Sequence, residues 1–426
     1  MLDSMPAPPA SPSRPSPLRT AGIALFLLTC LNLFNFIDRY VLPGVQPLVQ
    51  HEFHIDDAQA GFLTSAFFLT YMLIAPLTGW LGDHMPRKPL IIIGALIWSA
   101  ATLLTATVHS YDTLLIRHAV VGIGEATFSI FAPALLADFY PEEDRNRVLS
   151  IFYVTIPVGG ALGYLLGGEL GQRYGWRAPF YVAAAPGVII ALCFWIFVRE
   201  PRRGSADTLQ ATTQRTSFLG LFRNPAFFSA TLGMAMWTFA VGGISTWLPT
   251  FFHRFAGYSV AGAGLTAGEI TAIDGLLATI AGGWLAQLWL RRNHRALYLV
   301  SAWSTLLAVP FAAAVFFGPR PWLLPAAYIA EFCIFLNTGP LNAAIVNSVG
   351  APIRSTAISV NLFVIHLLGD FPSPHFIGWI SDRHNLRIGL GATLITLVLS
   401  GVILFIGSRF APRLPDLEAP TFAGPV

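Results

Sequence analysis

Charge is what this sequence has least of. Only 11% of its 426 residues are charged, where soluble domains carry roughly 25%. That is too little to solvate a globular surface of this size, so lipid is the expected solvent. Lys88 is the only lysine, and the net charge is +3. With no basic tract interleaved with aromatics, nucleic acid is excluded as a partner. Cysteine is scarce as well. Cys30, Cys193 and Cys333 each sit in an apolar run, without the paired spacing of a disulfide framework or metal site. His-Glu-x-x-His, Gly-x-Ser-x-Gly and phosphate-loop patterns are absent, so the reading is not an enzyme and not an ATP-driven pump, with no cofactor and no metal.

What is abundant is apolar. Hydrophobic residues make up 54% of the chain and fall in long continuous runs. Barrel strands would alternate with a period of two; helices are the other structure that satisfies its backbone in lipid. A span needs about 20 residues at 1.5 Å each. Twelve candidates reach that length: 21–42, 58–82, 89–108, 112–138, 147–170, 178–198, 226–252, 259–289, 296–317, 322–349, 354–380 and 387–410. The expected fold is an all-α integral membrane protein, twelve transmembrane helices in two pseudo-symmetric six-helix halves. The halves read as 21–198 and 226–410, joined by a cytoplasmic linker, 199–225. A disordered, Pro- and Ser-rich cytoplasmic lead, 1–20, lacks the apolar core of a signal peptide. A Pro-rich cytoplasmic tail, 411–426, ends the chain.

Arginine sets the expected orientation. With the N-terminus inside, the inner connections hold Arg87, Lys88, Arg145, Arg147, Arg291, Arg292, Arg295 and Arg354, besides those of the linker. The outer side holds only Arg173, Arg177, Arg254, Arg320, Arg383 and Arg387. That bias places both termini in the cytoplasm. The halves also echo each other. GWLGDHMPRK from Gly79 resembles GWLAQLWLRR from Gly283, and GGELGQR from Gly167 resembles IGWISDR from Ile377. The offsets are 204 and 210 residues. Parallel six-helix repeats belong to a transporter architecture whose site lies between the halves.

GWLGDHMPRKPL resembles the signature loop of the major facilitator superfamily, departing from it at His84 and Pro86. Asp83 at a membrane edge can meet the positive end of another helix. With Arg87, Lys88, Arg145 and Arg354 it forms the expected cytoplasmic gate. Four stretches resemble the spinster-type subfamily: NFIDRY, RHAVVGIGEATFSIFAPALLADFY from Arg117, RNRVLSIFYVTIPVGGALGYLLGG from Arg145, and RSTAISVNLFVIHLLGDFPSPHFIGWISD from Arg354. The resemblance implies transport of an amphipathic lipid, such as a lysophospholipid or a sphingosine phosphate. It further implies a bacterial member in the inner membrane, with the lipid bilayer, the substrate and protons as partners, working as a monomer.

The residues themselves build a polar centre. A charge in hydrocarbon costs about 2.5–3.5 kcal/mol, so each needs a partner, water or a role. Asn32, Asn35 and Arg39 share one helix face, and Asp38 lies one turn beyond Asn35. Arg117 and Glu125 lie two turns apart on the fourth helix, their directions diverging by about 80°. The expectation is that Asp38 and Arg39 face a hydrated cavity and pair with the fourth helix. Asp38 and Glu125 are the candidate proton carriers, and Arg39 and Arg117 the counter-ions or headgroup ligands. A static ion-pair network is the competing account. His366 and Asp370, four apart, are expected to hydrogen-bond, and Glu331 to line the C-terminal wall. The functional alternatives are a carrier of a small organic anion, sugar or drug, and a lipid-binding receptor or scaffold.

Overall fold

The computed structural model describes residues 17–201, 221–349 and 353–413. Residues 1–16 of the expected N-terminal lead, most of the linker and the end of the tail lie outside the described residues; residues 17–20, expected to be disordered, are instead helical and begin the first helix. Among the described residues, twelve helices are long and apolar enough to span a membrane: α1 (Thr20–Phe53), α2 (Asp57–Thr78), α3 (Arg87–Thr105), α4 (Tyr111–Phe139), α5 (Arg147–Tyr174), α6 (Ala178–Phe197), α7 (Pro225–Ala256), α8 (Val260–Leu290), α9 (Ala296–Phe317), α10 (Arg320–Asn347), α11 (Thr356–Arg383) and α12 (Leu386–Phe410). Helix α1 runs well past residue 42, where hydropathy alone would end it, and carries Pro43 and Pro47 inside it. Packing holds that extension: Val41, Gly44 and Val45 lie against Gly167 and Gly171 of α5.

Three spans break or widen next to prolines. A proline leaves the carbonyl four residues earlier without its helical donor. Helix α5 breaks at Val154, just past Tyr153, the residue four before Pro157. Helix α10 breaks after Phe335, at Leu336 and Asn337, and Pro340 follows. Helix α11 widens into a π turn, His366–Asp370, ahead of Pro372 and Pro374. In α7, Pro249 frees the Ser245 carbonyl, which accepts the Tyr164 hydroxyl from the other half.

Within the N-terminal half α1 packs along α5, and α4 packs on α2 and α3; in the C-terminal half α12 packs on α7 and α9. The halves meet along two seams, α5 with α8 and α2 with α11. The α5–α8 seam is built for close approach. A β-carbon on Gly268 would stand 2.7 Å from the Ala161 carbonyl oxygen, and one on Gly168 would stand 2.8 Å from that of Val260.

Twelve spans put residues 17 and 413 at one end of the bundle, here the terminal end; the other is the distal end. The seam helices are buried toward the distal end, as at Leu63, Phe67, Tyr164, Ala267 and Ile377. Toward the terminal end the same helices expose Leu73, Leu77, Tyr153, Leu276 and Leu362. Every described hydrogen bond between the halves lies in the distal part.

Candidate functional site

Two acid–base pairs face one another across the α2–α11 seam. In the N-terminal half Arg39 donates to Glu125 Oε2 from Nε at 3.1 Å and from Nη2 at 2.7 Å. Glu125 is 0% exposed and Arg39 19%. Glu125 Oε1 accepts no hydrogen bond. The guanidinium lies among aromatic rings, 4.9 Å from the centroid of Phe36, 5.1 Å from Phe67, 5.9 Å from Phe68 and 5.6 Å from Tyr71. Such faces attract a cation most when water is excluded. In the C-terminal half His366 Nδ1 and Asp370 Oδ2 are 2.8 Å apart. The His366 ring stacks on Phe68 at 5.7 Å and meets Tyr71 edge-on at 5.3 Å. Phe68 and Tyr71 of α2 therefore form an aromatic slab that contacts both Arg39 and His366.

Asp38 and Arg39 part company. Neighbouring helical side chains point about 100° apart, and Asp38 turns to α3, where it accepts the Thr102 hydroxyl and is buried. The expectation that both pair with α4 is corrected: only Arg39 does. Arg117 does not join the network either. Its guanidinium donates to the Leu104 carbonyl and, at 2.8 Å, to the Thr107 hydroxyl, closing the end of α3. The divergence of about 80° between Arg117 and Glu125 accounts for this. Asn32 donates to the Phe152 carbonyl at 3.1 Å and to Thr155 Oγ1 at 2.7 Å, spanning the break in α5. Asn35 is fully buried, and neither of its amide atoms finds a partner.

The residues read as a gate at the terminal end bond within the N-terminal half. Arg87 pairs with Asp138 and donates to the Ala134 carbonyl at 3.1 Å. Lys88 donates to the Trp195 carbonyl at 2.7 Å. Arg145 caps α4, donating to the carbonyls of Ala137 at 2.8 Å and Tyr140 at 3.1 Å. The side chains of Asp83 and Arg354 lie outside the described residues.

The ties between the halves sit at the distal end, on residues the sequence reading passed over as helix ends. Asp57 takes a two-pronged bond from Arg254, 2.7 Å on each oxygen, with further bonds from Gln50 and Ser381. Asp382 accepts from the backbone N–H groups of Asp57 and Ala58, each at 2.8 Å, and so caps α2 from the other half. Gln172 does the same for α8, accepting from the Ala261 N–H at 2.8 Å. Gln172 and Asp382 are equivalent residues of the GGELGQR and IGWISDR repeat. The repeat was the signal that could have found them.

Residues 28–374 match the Major Facilitator Superfamily. The chain belongs to that superfamily. Its relatives include the sphingosine-1-phosphate transporter SPNS2 of Xenopus tropicalis, 32% identical over 382 residues, covering 85% of this chain and 74% of that protein. Protein spinster homolog 1 of Homo sapiens is 33% identical over 392 residues, covering 86% and 74%. Among solved structures, a bacterial homolog to the human lysosomal transporter spinster, in an inward-facing and unoccupied conformation, superposes with a TM-score of 0.83 at 26% identity. The match covers 95% of this chain and 100% of that one. This spinster-like chain is thus a multi-pass membrane transporter and not an enzyme. Its charged centre lies where the two halves of a facilitator fold meet.

Proposed function

We propose that this chain is a proton-coupled secondary transporter that moves an amphipathic, lipid-like substrate by rocking its two halves. In this reading both termini are cytoplasmic, in a bacterial inner membrane. The distal end is then the outer one, and the described state opens inward. The observation that carries the proposal is the Arg39–Glu125 pair: a wholly buried carboxylate bound through one oxygen to a partly exposed guanidinium. Burial favours the neutral acid and the guanidinium favours the charged one, so a change in the hydration of the cavity moves the proton. When Glu125 takes a proton, Arg39 loses its anion. An anionic headgroup such as a phosphate can then replace it on the aromatic slab, beside apolar walls that suit an acyl chain. The relatives' transport of sphingosine-1-phosphate supports that substrate class. Arg117, committed to α3, is left out of the headgroup role. Asp38 acts beside the pair through its charge.

The test is uptake into proteoliposomes with an imposed pH gradient, screening lysophospholipids and sphingosine phosphates against sugars and small organic anions. Glu125→Gln mimics the protonated acid and is expected to keep binding while losing the pH dependence of transport. Asp38→Asn is expected to weaken that dependence. Arg39→Ala leaves a buried carboxylate unpaired, at a cost of about 3–5 kcal/mol, and is expected to abolish transport. Wild-type rates and pH profiles in both acid variants would leave the static ion-pair network as the better account.

A further inference from the structure

The two copies of the signature repeat use their basic pairs differently. In GWLGDHMPRK the pair is engaged inside the N-terminal half: Arg87 with Asp138 and the Ala134 carbonyl, Lys88 with the Trp195 carbonyl. In GWLAQLWLRR the pair is Arg291 and Arg292, just past the end of α8. Both are exposed, and neither takes an ion pair or a side-chain hydrogen bond among the described residues. The surrounding chain supplies no acid. Gln287 stands in the place of Asp83, residues 275–330 contain no Asp or Glu, and His294 and Arg295 add to the positive end. Glu331 opens onto a separate cavity, among Ile244, Leu248 and Phe316.

The uncommitted pair closes a groove of about 420 Å³, lined by Leu285, Leu288, Trp289, Arg291 and Arg292. Gly282, Ala286 and Leu290, spaced by four, are buried, and Gly282 lies against the Leu336 backbone of α10. That face holds α8 in the bundle. Leu285, Leu288 and Arg292, spaced by three and four, share a different face, and all three are exposed. Arg292 continues that face because the chain turns once more beyond α8, its N–H donating to the Trp289 carbonyl at 3.0 Å. Trp284, also exposed, stands beside the leucines, as indoles do near a membrane boundary. Bare leucines with a cationic head one turn beyond them suit a molecule that is apolar along its length and anionic at its end. A soluble anion would gain nothing from the leucines.

We propose that this groove binds an anionic phospholipid of the leaflet at the terminal end, its phosphate held by Arg291 and Arg292 and an acyl chain lying along Leu285 and Leu288. Guanidinium groups present forked N–H donors that match phosphate oxygens. A zwitterionic lipid would bring its own cation against the same arginines. The groove shares no residue with the Arg39–Glu125 site and faces out of the bundle, so its lipid is a resident of the bilayer, whatever the cargo is. Because α8 forms one seam between the halves, the lipid fastens the terminal end of a seam helix to its leaflet.

Native mass spectrometry of the purified full chain tests this, comparing phosphatidylglycerol with phosphatidylcholine of the same acyl chains. Two basic residues at a membrane surface are worth about thirtyfold in affinity for an anionic lipid. The wild-type chain is expected to prefer phosphatidylglycerol by about that ratio, and Arg291→Gln/Arg292→Gln to lose the preference. Arg202→Gln/Arg203→Gln, an equal loss of charge in the linker, is expected to keep it. Gln287→Glu places a carboxylate four residues before Arg291, where the two can pair, and is expected to weaken phosphatidylglycerol binding with every arginine in place. An unchanged preference in the double variant, or in Gln287→Glu if the double variant does not fold, would overturn the proposal. So would an equal loss in the linker variant, or displacement of the lipid by the same concentration of glycerol phosphate, which would mark a site for a free anion. Failure of the transport reading shows separately, as absent lipid uptake with this preference intact.

Discussion

Asp382 and Gln172 occupy equivalent places 210 residues apart, and each caps the second helix of the opposite half. Around them the two seams differ. At α2–α11 the cap is a carboxylate holding two N–H groups, and beside it the buried Asp57 pairs with the exposed Arg254. At α5–α8 the cap is a neutral amide holding one N–H group, and the rest is glycine against backbone. Charge-assisted bonds are strong but directional, so they make or break as a unit. Glycine packing tolerates small rotations without unmaking a bond. The difference teaches a division of labour: α2–α11 is the latch and α5–α8 the pivot.

Asp57→Ala should break that contrast most severely. Asp57 accepts from Arg254, Gln50 and Ser381; losing hydrogen bonds to a charged group costs about 1.5–3 kcal/mol, and even the lower figure is roughly a tenfold change in population. Spin labels at His51 and His384 should then report a longer distal distance as the dominant species. An unchanged distance distribution would show that the latch lies elsewhere.

Gly268→Val attacks the pivot instead. A side chain there meets the Ala161 carbonyl, and overpacking costs about 1–3 kcal/mol. The expected result is a lower melting temperature in detergent, together with slower transport in either direction. Asp382→Ala should cost less, about 1 kcal/mol as for a lost helix cap. Its distal distance distribution should broaden by a minority of open molecules. Gln172→Ala should be the mildest, about 0.5 kcal/mol, and barely visible in the same measurement. If Gln172→Ala proved as disruptive as Asp382→Ala, the two seams would be equivalent and the assignment of latch and pivot would fail.

How much of this was legible from residues alone follows from where each residue sits. Twelve apolar runs, separated by arginine-bearing connections, give the helices because the membrane leaves the backbone few alternatives. Arg39 and Glu125 were legible because a lone charge in an apolar run needs a partner. That Asp38 would turn from α4 to Thr102 of α3 was not, since it depends on the rotation of α1, which packing against α5 decides. Arg117 was misplaced for a related reason: phase along α4 separates it from Glu125, and the free carbonyls at the end of α3 claim it. Asp57 and Arg254 look like ordinary solvated helix ends. Their pairing depends on the relative tilt of two halves, which no single helix encodes.

The wide turn in α11 carries a further consequence. A π turn holds one residue more than an α turn, so the helix beyond it is out of phase with a straight continuation by about 100°. His375, Ser381 and Asp382, the residues through which α11 grips α2, all lie beyond that turn. Their aim is thus set by one inserted residue about one to three turns away from the grip. Ironing the turn into regular helix would swing all three contacts off α2 together, a rotary disengagement set by a single peptide unit.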